Sequence, residues 1–288
     1  MTAQFLDGES CAARVKEDLA IRVQKLKDEH GITPGLGTIL VGDDGPSGRY
    51  VGRKHAACEA VGMTSVHEHL PQSSTTADVL AAVTKFNADP TVHGYIVQLP
   101  LPAQCDEAAV LEAIDPEKDA DGLHPVNLGK LVMNVEAPLP CTPAGIQRLL
   151  AESGVEVSGK HVVIVGRGLT VGRPLSLLLS VKGPGANAAV TVVHTGVPNL
   201  ADYTRQADVL IAGAGAPGMI TKDHVKPGAA VVSAGQKIID GKVAPDVRED
   251  VAEVAGWITP RIGGVGPMTV AMLLANTVAA AERAALTR

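Results

Sequence analysis

Aromatic side chains are nearly missing from this chain of 288 residues: one tryptophan, three tyrosines and two phenylalanines make up 2% of it. Its core must therefore be aliphatic, and alanine, valine, leucine and glycine dominate the composition. Low hydrophobicity with high net charge, the mark of disorder, is absent too. Lysine and arginine number 25 against 31 acidic residues, a net charge of −6 with both signs interspersed. No basic block of the kind that binds phosphate backbones occurs, so nucleic acid is not an expected partner. No apolar run reaches the length expected of a bilayer span, so no membrane partner is expected either. The N-terminus, MTAQFLDGES, lacks the basic and apolar regions of a signal peptide, which predicts a cytoplasmic protein. Cys11, Cys58, Cys105 and Cys141 form no CxxC pair and lie near no histidine at zinc spacing. They read as four reduced thiols, with no metal site.

The length is generous for one domain and comfortable for two. Val15, Leu19, Val23 and Leu26 share one face of a helix predicted over Ser10–His30, which Gly31 closes. Leu36–Val41 reads as a buried strand, 47–61 as a helix ended by Gly62, and Val66–Leu70 as an alternating strand. A helix over Thr75–Asn87, a strand over Tyr95–Leu99 and a short helix over 106–114 follow. The polar, glycine- and proline-bearing stretch 115–140 reads as a loop between domains. Thr142 is then a good N-cap, with Pro143 at the first helical position and Gly154 after the helix. From His161 a second alternation begins, with strands at 162–165, 190–193, 209–212 and 229–232. A helix over 175–181 lies among them, and a long amphipathic helix over 268–285 ends the chain. Strands alternating with helices predict an α/β class with parallel sheets and right-handed crossovers.

Val162 to Pro174 is a strand, a glycine-rich turn and a helix start. Gly166, Gly168 and Gly172 are spaced GxGxxxG, one residue longer than the usual dinucleotide fingerprint. Glycines let backbone approach a pyrophosphate, and free amides at the helix start, around Val171 and Gly172, complete the cradle. A NAD site places a carboxylate at the end of the next strand. Here that strand ends Val193-His194-Thr195-Gly196 without one. Arg167 could meet a 2′-phosphate and Thr195 could donate to it, which favours NADP over NAD. The plain alternative for Arg167 is a solvated surface charge.

Tyr50 and Lys54 are four residues apart on a predicted helix and share a face with Cys58. An inward lysine is costly unless it is partnered or its pKa is depressed, and such a lysine is suited to moving protons. On the residues alone, an exposed lysine beside a half-buried tyrosine is the favoured reading. Gln98 lies at the carboxyl end of a strand, where ligands gather, and Leu99, Pro100, Leu101 and Pro102 follow it. Asp119 and Asp121 could hold an amidine edge, bind a metal or form turns, and spacing does not decide among these.

Taken together, the segments Tyr50–Lys54, Gln98–Pro102, Lys118–Gly122, Pro140–Pro143, Gly166–Pro174 and Gly263–Thr269 resemble the methylenetetrahydrofolate dehydrogenase/cyclohydrolase family, in its order and over nearly the whole chain. The resemblance implies an N-terminal α/β domain over 1–140, completed by a C-terminal helix over 268–288, and a Rossmann-type NADP-binding domain over 141–267. It implies a homodimer that binds tetrahydrofolate one-carbon derivatives in a cleft between domains, in one-carbon metabolism and purine biosynthesis. The implied activity is NADP-dependent oxidation of 5,10-methylenetetrahydrofolate and hydrolysis of the methenyl product to 10-formyltetrahydrofolate. By resemblance Lys54 moves the protons of hydrolysis, Gln98 orients it, Tyr50 packs on the folate ring and Asp121 holds the pterin. Leu99 and Pro100 also line the folate. The loop bearing Gly264 and Pro267 borders folate and nicotinamide, and Arg167 selects NADP. A member with one activity only, or a folate- or NADP-binding protein without turnover, are the alternatives.

Four places depart from the family pattern. Ser233-Ala234-Gly235-Gln236 stands for an aspartate-valine-glycine run, and Ala244-Pro245-Asp246-Val247 for valine-glycine-aspartate-valine. Pro260-Arg261-Ile262-Gly263 lacks the usual valine-proline. Gly168 replaces a common serine, removing one phosphate donor.

Overall fold

The computed structural model describes residues 3–42, 45–239 and 241–286, without the side chains of 45–51. In chain order, β1 (Gln4–Phe5) leads into α1 (Gly8–His30), and three strand–helix repeats follow. These are β2 (Gly35–Val41) with α2 (Gly45–Ala60), β3 (Thr64–Leu70) with α3 (Thr76–Ala88), and β4 (Gly94–Val97) with α4 (Glu107–Glu112). After α5 (Pro125–Val132) and α6 (Cys141–Glu152) come β5 (His161–Val165), α7 (Gly172–Ser180), β6 (Ala189–Val193), α8 (Ala201–Thr204), β7 (Val209–Ala212) and β8 (Ala230–Ser233). A hairpin of β9 (Gln236–Ile239) and β10 (Lys242–Pro245), then β11 (Trp257–Ile258) and α9 (Val265–Leu286), complete the chain. It divides into two compact units: Ala13–Cys141 with Val270–Arg288, and Met1–Ala12 with Thr142–Thr269.

The first unit holds a parallel three-stranded sheet in the order β3-β2-β4. β2 is buried along its whole length, as expected of a strand covered on both faces, and it reads in sequence as an apolar run. Two of the few aromatics meet here. The rings of Phe86 and Tyr95 stand edge to face with centroids 5.4 Å apart, an arrangement that the ring quadrupole favours. Gly37 makes room for them, since a Cβ there would lie 2.7 Å from the Phe86 ring. The Tyr95 hydroxyl donates to Asn87 Oδ1 at 2.6 Å, so the polar end of this buried ring is satisfied. α3 starts with a Thr75–Asp78 capping box. At its other end Lys118 Nζ donates to the carbonyls of Phe86, Asn87 and Asp89 at 3.1, 2.9 and 2.7 Å.

The second unit holds a six-stranded parallel sheet in the order β1-β11-β8-β7-β5-β6. From β5 the chain first adds β6 on one side and then crosses to β7 on the other. The carboxyl ends of β5 and β7 are therefore a topological switch point, where open α/β sheets bind ligands.

The structure corrects several sequence expectations. The first twelve residues, assigned with 1–140 by resemblance, fall in the second unit because β1 pairs with β11. The stretch 115–140 is not all loop: α5 starts at Pro125, and His124 Nδ1 accepts from the Val126 amide at 3.1 Å. A histidine cap lies outside the usual serine, threonine, aspartate and asparagine set, which hid that helix. Thr142 is not an N-cap, because α6 already begins at Cys141, and the Thr142 hydroxyl instead hydrogen-bonds the Thr269 hydroxyl at 3.0 Å. The hairpin β9–β10 is absent from the sequence reading, which a proline at Pro245 discouraged. Finally, α9 is long and apolar enough to cross a membrane by length and composition, contrary to the expectation that no segment is. Its Met268, Ala271, Leu274, Val278 and Ala281 have no exposed surface, so one face of this apolar helix is packed inside the protein.

Phe86→Ala is expected to destabilise the protein by about 3–5 kcal/mol, measured by denaturant unfolding followed by ellipticity. A loss below about 1 kcal/mol would show that the Phe86–Tyr95 cluster does not organise this unit.

Candidate active site

α2 turns Lys54, Ala57 and Cys58 inward, at the i, i+3, i+4 spacing of one helix face, and Val61 just past its end is buried too. Lys54 is only 7% exposed. The plainer sequence reading, a solvated lysine, is thus not what the fold adopts. Its Nζ donates to Gln98 Oε1 at 3.0 Å. Gln98 follows β4, and its backbone amide donates to the Ile39 carbonyl of β2 at 2.8 Å, which fixes it at the carboxyl edge of the sheet. Its side-chain Nε2 donates to the Leu99 carbonyl at 2.9 Å. Because that contact occupies the donor end of the amide, the acceptor end faces the lysine. The Leu99–Pro100 peptide is cis; Leu99 is half-buried and Pro100 exposed.

The two aspartates have separate tasks. Asp119 is buried and accepts from the amides of Gly122 at 3.0 Å and His124 at 2.8 Å, and from Asn127 Nδ2 at 2.9 Å. It is a turn-former. Asp119 also bridges to Tyr95 of β4, and the Ala120 amide donates to the Tyr95 carbonyl at 3.2 Å. That pairing fixes the backbone leading to Asp121, whose charge acts on Lys54. Burial pushes the Lys54 pKa below the ordinary lysine value, against the pull of Asp121 and then Cys141. Burial likewise pushes the Asp121 carboxyl up, with Lys54 opposing and Asp119 adding to the rise. The two groups thus hold protons less firmly, for the amine, and more firmly, for the acid, than they do in water.

Cys141 and Asn276 were not singled out as site residues from the sequence. Burial holds the Cys141 thiol well above its usual pKa, and the Asp121 and Asp119 charges reinforce this. It stays a thiol, whose Sγ donates to the Ala120 carbonyl at 3.2 Å. It lacks the electropositive, exposed setting of a reactive cysteine. On α9, Asn276 Nδ2 donates to the carbonyls of Ala120 and Leu139, both at 2.9 Å, and lies 3.6 Å from Cys141 Sγ. It ties together the segments that carry Asp121 and Cys141. An amide within an otherwise apolar helix was the signal available for it. The side chain of Tyr50 lies outside the described residues. Among the described residues no cluster of histidine, cysteine, aspartate and glutamate could hold a metal ion.

The second unit contains the glycine-rich turn. Gly166 follows β5 with φ 128°, and a Cβ there would stand 2.3 Å from the Gly213 carbonyl. A Cβ on Gly172 would stand 2.1 Å from the Gly166 carbonyl. Both glycines are required by close backbone approach, whereas a Cβ at Gly168 would meet nothing within 4 Å. Gly168, with the exposed Arg167, Leu169 and Thr170, faces open space. Val171, at the start of α7, provides no side-chain cap, the Arg173 amide donates to the Gly168 carbonyl at 3.2 Å and Pro174 has no amide hydrogen, so an anion at this helix start would be met by the Val171 and Gly172 amides. At the end of β6, His194 Nδ1 accepts from the Gly196 amide at 3.1 Å, and Thr195 is exposed. The turn, the uncapped helix and the absence of a carboxylate at 194–196 fit a dinucleotide with a phosphorylated ribose.

Gly264 is buried against Thr259 and Pro260, and its carbonyl lies where a Cβ on Gly8 would be, 1.7 Å away. Pro267 lies in the first turn of α9. Of the departing residues, Arg261 and Ile262 are exposed. Ser233 ends β8; its amide donates to Thr259 Oγ1 at 2.8 Å, and its buried hydroxyl has no partner among the described residues.

Residues 6–121 match the family model "Tetrahydrofolate dehydrogenase/cyclohydrolase, catalytic domain", and 140–285 match "Tetrahydrofolate dehydrogenase/cyclohydrolase, NAD(P)-binding domain". The bifunctional protein FolD of Syntrophotalea carbinolica is 58% identical over 285 residues, covering 99% of this chain and 98% of that protein. The crystal structure of the bifunctional dehydrogenase/cyclohydrolase FolD of Campylobacter jejuni is 42% identical, with a TM-score of 0.93 over 98% of this chain and 99% of that one. The Trypanosoma brucei FolD, solved with NADP and an inhibitor, is 38% identical, with a TM-score of 0.93 and 99% of each chain covered. With two domain models matched in order and relatives aligned end to end, the chain belongs to the tetrahydrofolate dehydrogenase/cyclohydrolase family.

Proposed function

We propose that this chain oxidises 5,10-methylenetetrahydrofolate with NADP and hydrolyses the resulting 5,10-methenyltetrahydrofolate to 10-formyltetrahydrofolate. The observation that carries the reading is the buried Lys54, its pKa lowered by desolvation and its Nζ held 3.0 Å from Gln98 Oε1. A lysine whose pKa is lowered holds more free amine at a given pH than a solvated one, and the free amine is the form that accepts a proton. In the hydrolysis Lys54 takes a proton from the water that adds to the methenyl carbon. As the bond from that carbon to N5 breaks, N5 gains a proton and the carbinol oxygen loses one, with one proton released overall. Gln98 is assigned to keep the amine aimed, and Asp121 to take the paired donors of a pterin edge. Tyr50 is assigned to stacking on the folate ring, and Leu99, Pro100, Gly264 and Pro267 to lining it.

NADP, when bound, supplies the hydride acceptor. The residues assigned to hold it are Gly166, Gly168, Val171 and Gly172 through backbone, and Arg167 and Thr195 at the 2′-phosphate. We further propose a cytoplasmic homodimer that supplies one-carbon units to purine biosynthesis, with neither nucleic acid nor membrane as a partner. The cysteines at 11, 58, 105 and 141 form no disulfide among the described residues, which suits a reducing compartment. The exposed Ile238 and Ile239 of β9 offer apolar surface that a second copy would cover.

Separate assays of NADPH formation from the methylene substrate and of hydrolysis of the methenyl substrate test the function. Turnover in both, with NADP preferred, is expected, and failure of either refutes the bifunctional reading. Arg167→Ala should raise the KM for NADP by about tenfold or more and leave that for NAD little changed; equal effects would remove Arg167 from the 2′-phosphate. Gln98→Glu places a carboxylate beside Nζ, which raises the Lys54 pKa. The ascending limb of the pH–rate profile for hydrolysis should therefore move up by about 1–3 pH units. An unmoved limb would mean that Lys54 does not carry the proton.

A further inference from the structure

Asp246 has no exposed surface and lies outside every role assigned so far. Its Oδ2 accepts from two consecutive backbone amides, Ala214 at 2.8 Å and Gly215 at 2.9 Å. Those amides belong to the turn that leaves β7 at the switch point of the sheet. The turn is also held from the strand side, where the Gly213 amide donates to the Val165 carbonyl of β5 at 2.8 Å. It meets the phosphate turn directly. The Gly213 carbonyl is the atom that a Cβ on Gly166 would strike, and a Cβ on Gly213 would come within 3.2 Å of Val171 Cγ1. Gly235 leaves the space that the carboxylate occupies, since a Cβ there would sit 2.0 Å from Oδ2. Asp246 is in turn fixed by its own backbone, its amide donating to the Gly235 carbonyl and its carbonyl accepting from the Ile220 amide, both at 3.0 Å. Gly235 and Asp246 lie in the two departing runs, 233–236 and 244–247, so those runs meet each other at this carboxylate.

We propose that Asp246 is a positioning residue for the nucleotide: by holding the Ala214 and Gly215 amides it fixes the turn after β7, the crevice wall opposite the Gly166 turn. This role rests on the reading of the Gly166–Gly172 turn as the NADP site. A carboxylate oxygen accepting two amides is a rigid clamp, because losing it leaves both donors unpaired inside the protein. An asparagine keeps the clamp, since its carbonyl oxygen has two acceptor positions.

The test is NADP binding to the full chain by calorimetry, with steady-state oxidation of the methylene substrate alongside. Asp246→Ala is expected to weaken NADP binding by about tenfold or more, raising the KM for NADP far more than it lowers kcat at saturation. Asp246→Asn is expected to restore the affinity to within about threefold of wild type. Unchanged affinity in Asp246→Ala would overturn the proposal. So would equal weakening in both variants, which would make the charge, and not the clamp, the cause. Hydrogen exchange on the wild-type chain tests the same point without a variant that must fold. The Ala214 and Gly215 amides should be protected before NADP is added, and rapid exchange there would overturn the proposal. Failure of the wild-type chain to bind NADP would instead overturn the nucleotide reading, and this role with it.

Discussion

The contact between Lys54 Nζ and Gln98 Oε1 is the constraint on which the candidate site of the first unit is built. An ammonium on an inward helix face has lost its water, and that loss is what lowers its pKa. The surrounding structure limits the cost in two ways. The Gln98 amide is locked by its own bond to the Leu99 carbonyl, so it offers only an acceptor. The Asp121 charge favours the ammonium without cancelling the larger desolvation effect. Asp119, Asn127 and Asn276 hold no ligand in this account, yet they fix the backbone that carries Asp121 and Cys141. A second row of buried polar groups of this kind is what keeps a proton-transfer group within hydrogen-bonding tolerance.

The second unit solves a different problem with a different residue. Its strands β5 and β7 must bring their following turns close enough together that a ligand is met by backbone and not by side chains. Gly166, Gly172 and Gly235 each occupy a place where a Cβ would lie 2.0–2.3 Å from another atom. The scarcity of aromatics and the many glycines belong to the same design: thin, aliphatic strands whose ends approach closely. Three of the four departures from the family pattern fall into two kinds here. Arg261 and Ile262 are exposed and make no demand on the fold. The runs at 233–236 and 244–247 keep the glycine and aspartate that touch each other while varying around them.

The alternation of strands and helices was legible because β2 and β5 are buried along nearly their whole length and so read as largely apolar runs. The glycine turn was legible because its ends are sterically compelled. Lys54 was not legible as buried from its neighbours alone, since a lysine four residues from a tyrosine is compatible with either face; only the wider resemblance pointed inward. Pairings between distant residues left no trace in local spacing. Gln98 lies 44 residues from Lys54, and the division of labour between Asp119 and Asp121 depends on which backbone amides fold back onto them. The pairing of the first strand was not legible for the same reason, since its partner β11 lies near the other end of the chain.

The most direct measurement is an NMR titration of the protein with carbon-13 at lysine Cε, with Lys54→Met used to assign its resonance. The account requires one lysine, absent from the variant, to titrate below the ordinary value of about 10.4. If the Lys54 resonance instead titrates together with the solvated lysines, burial has not changed its acidity, and a proton-transfer role founded on that burial is contradicted.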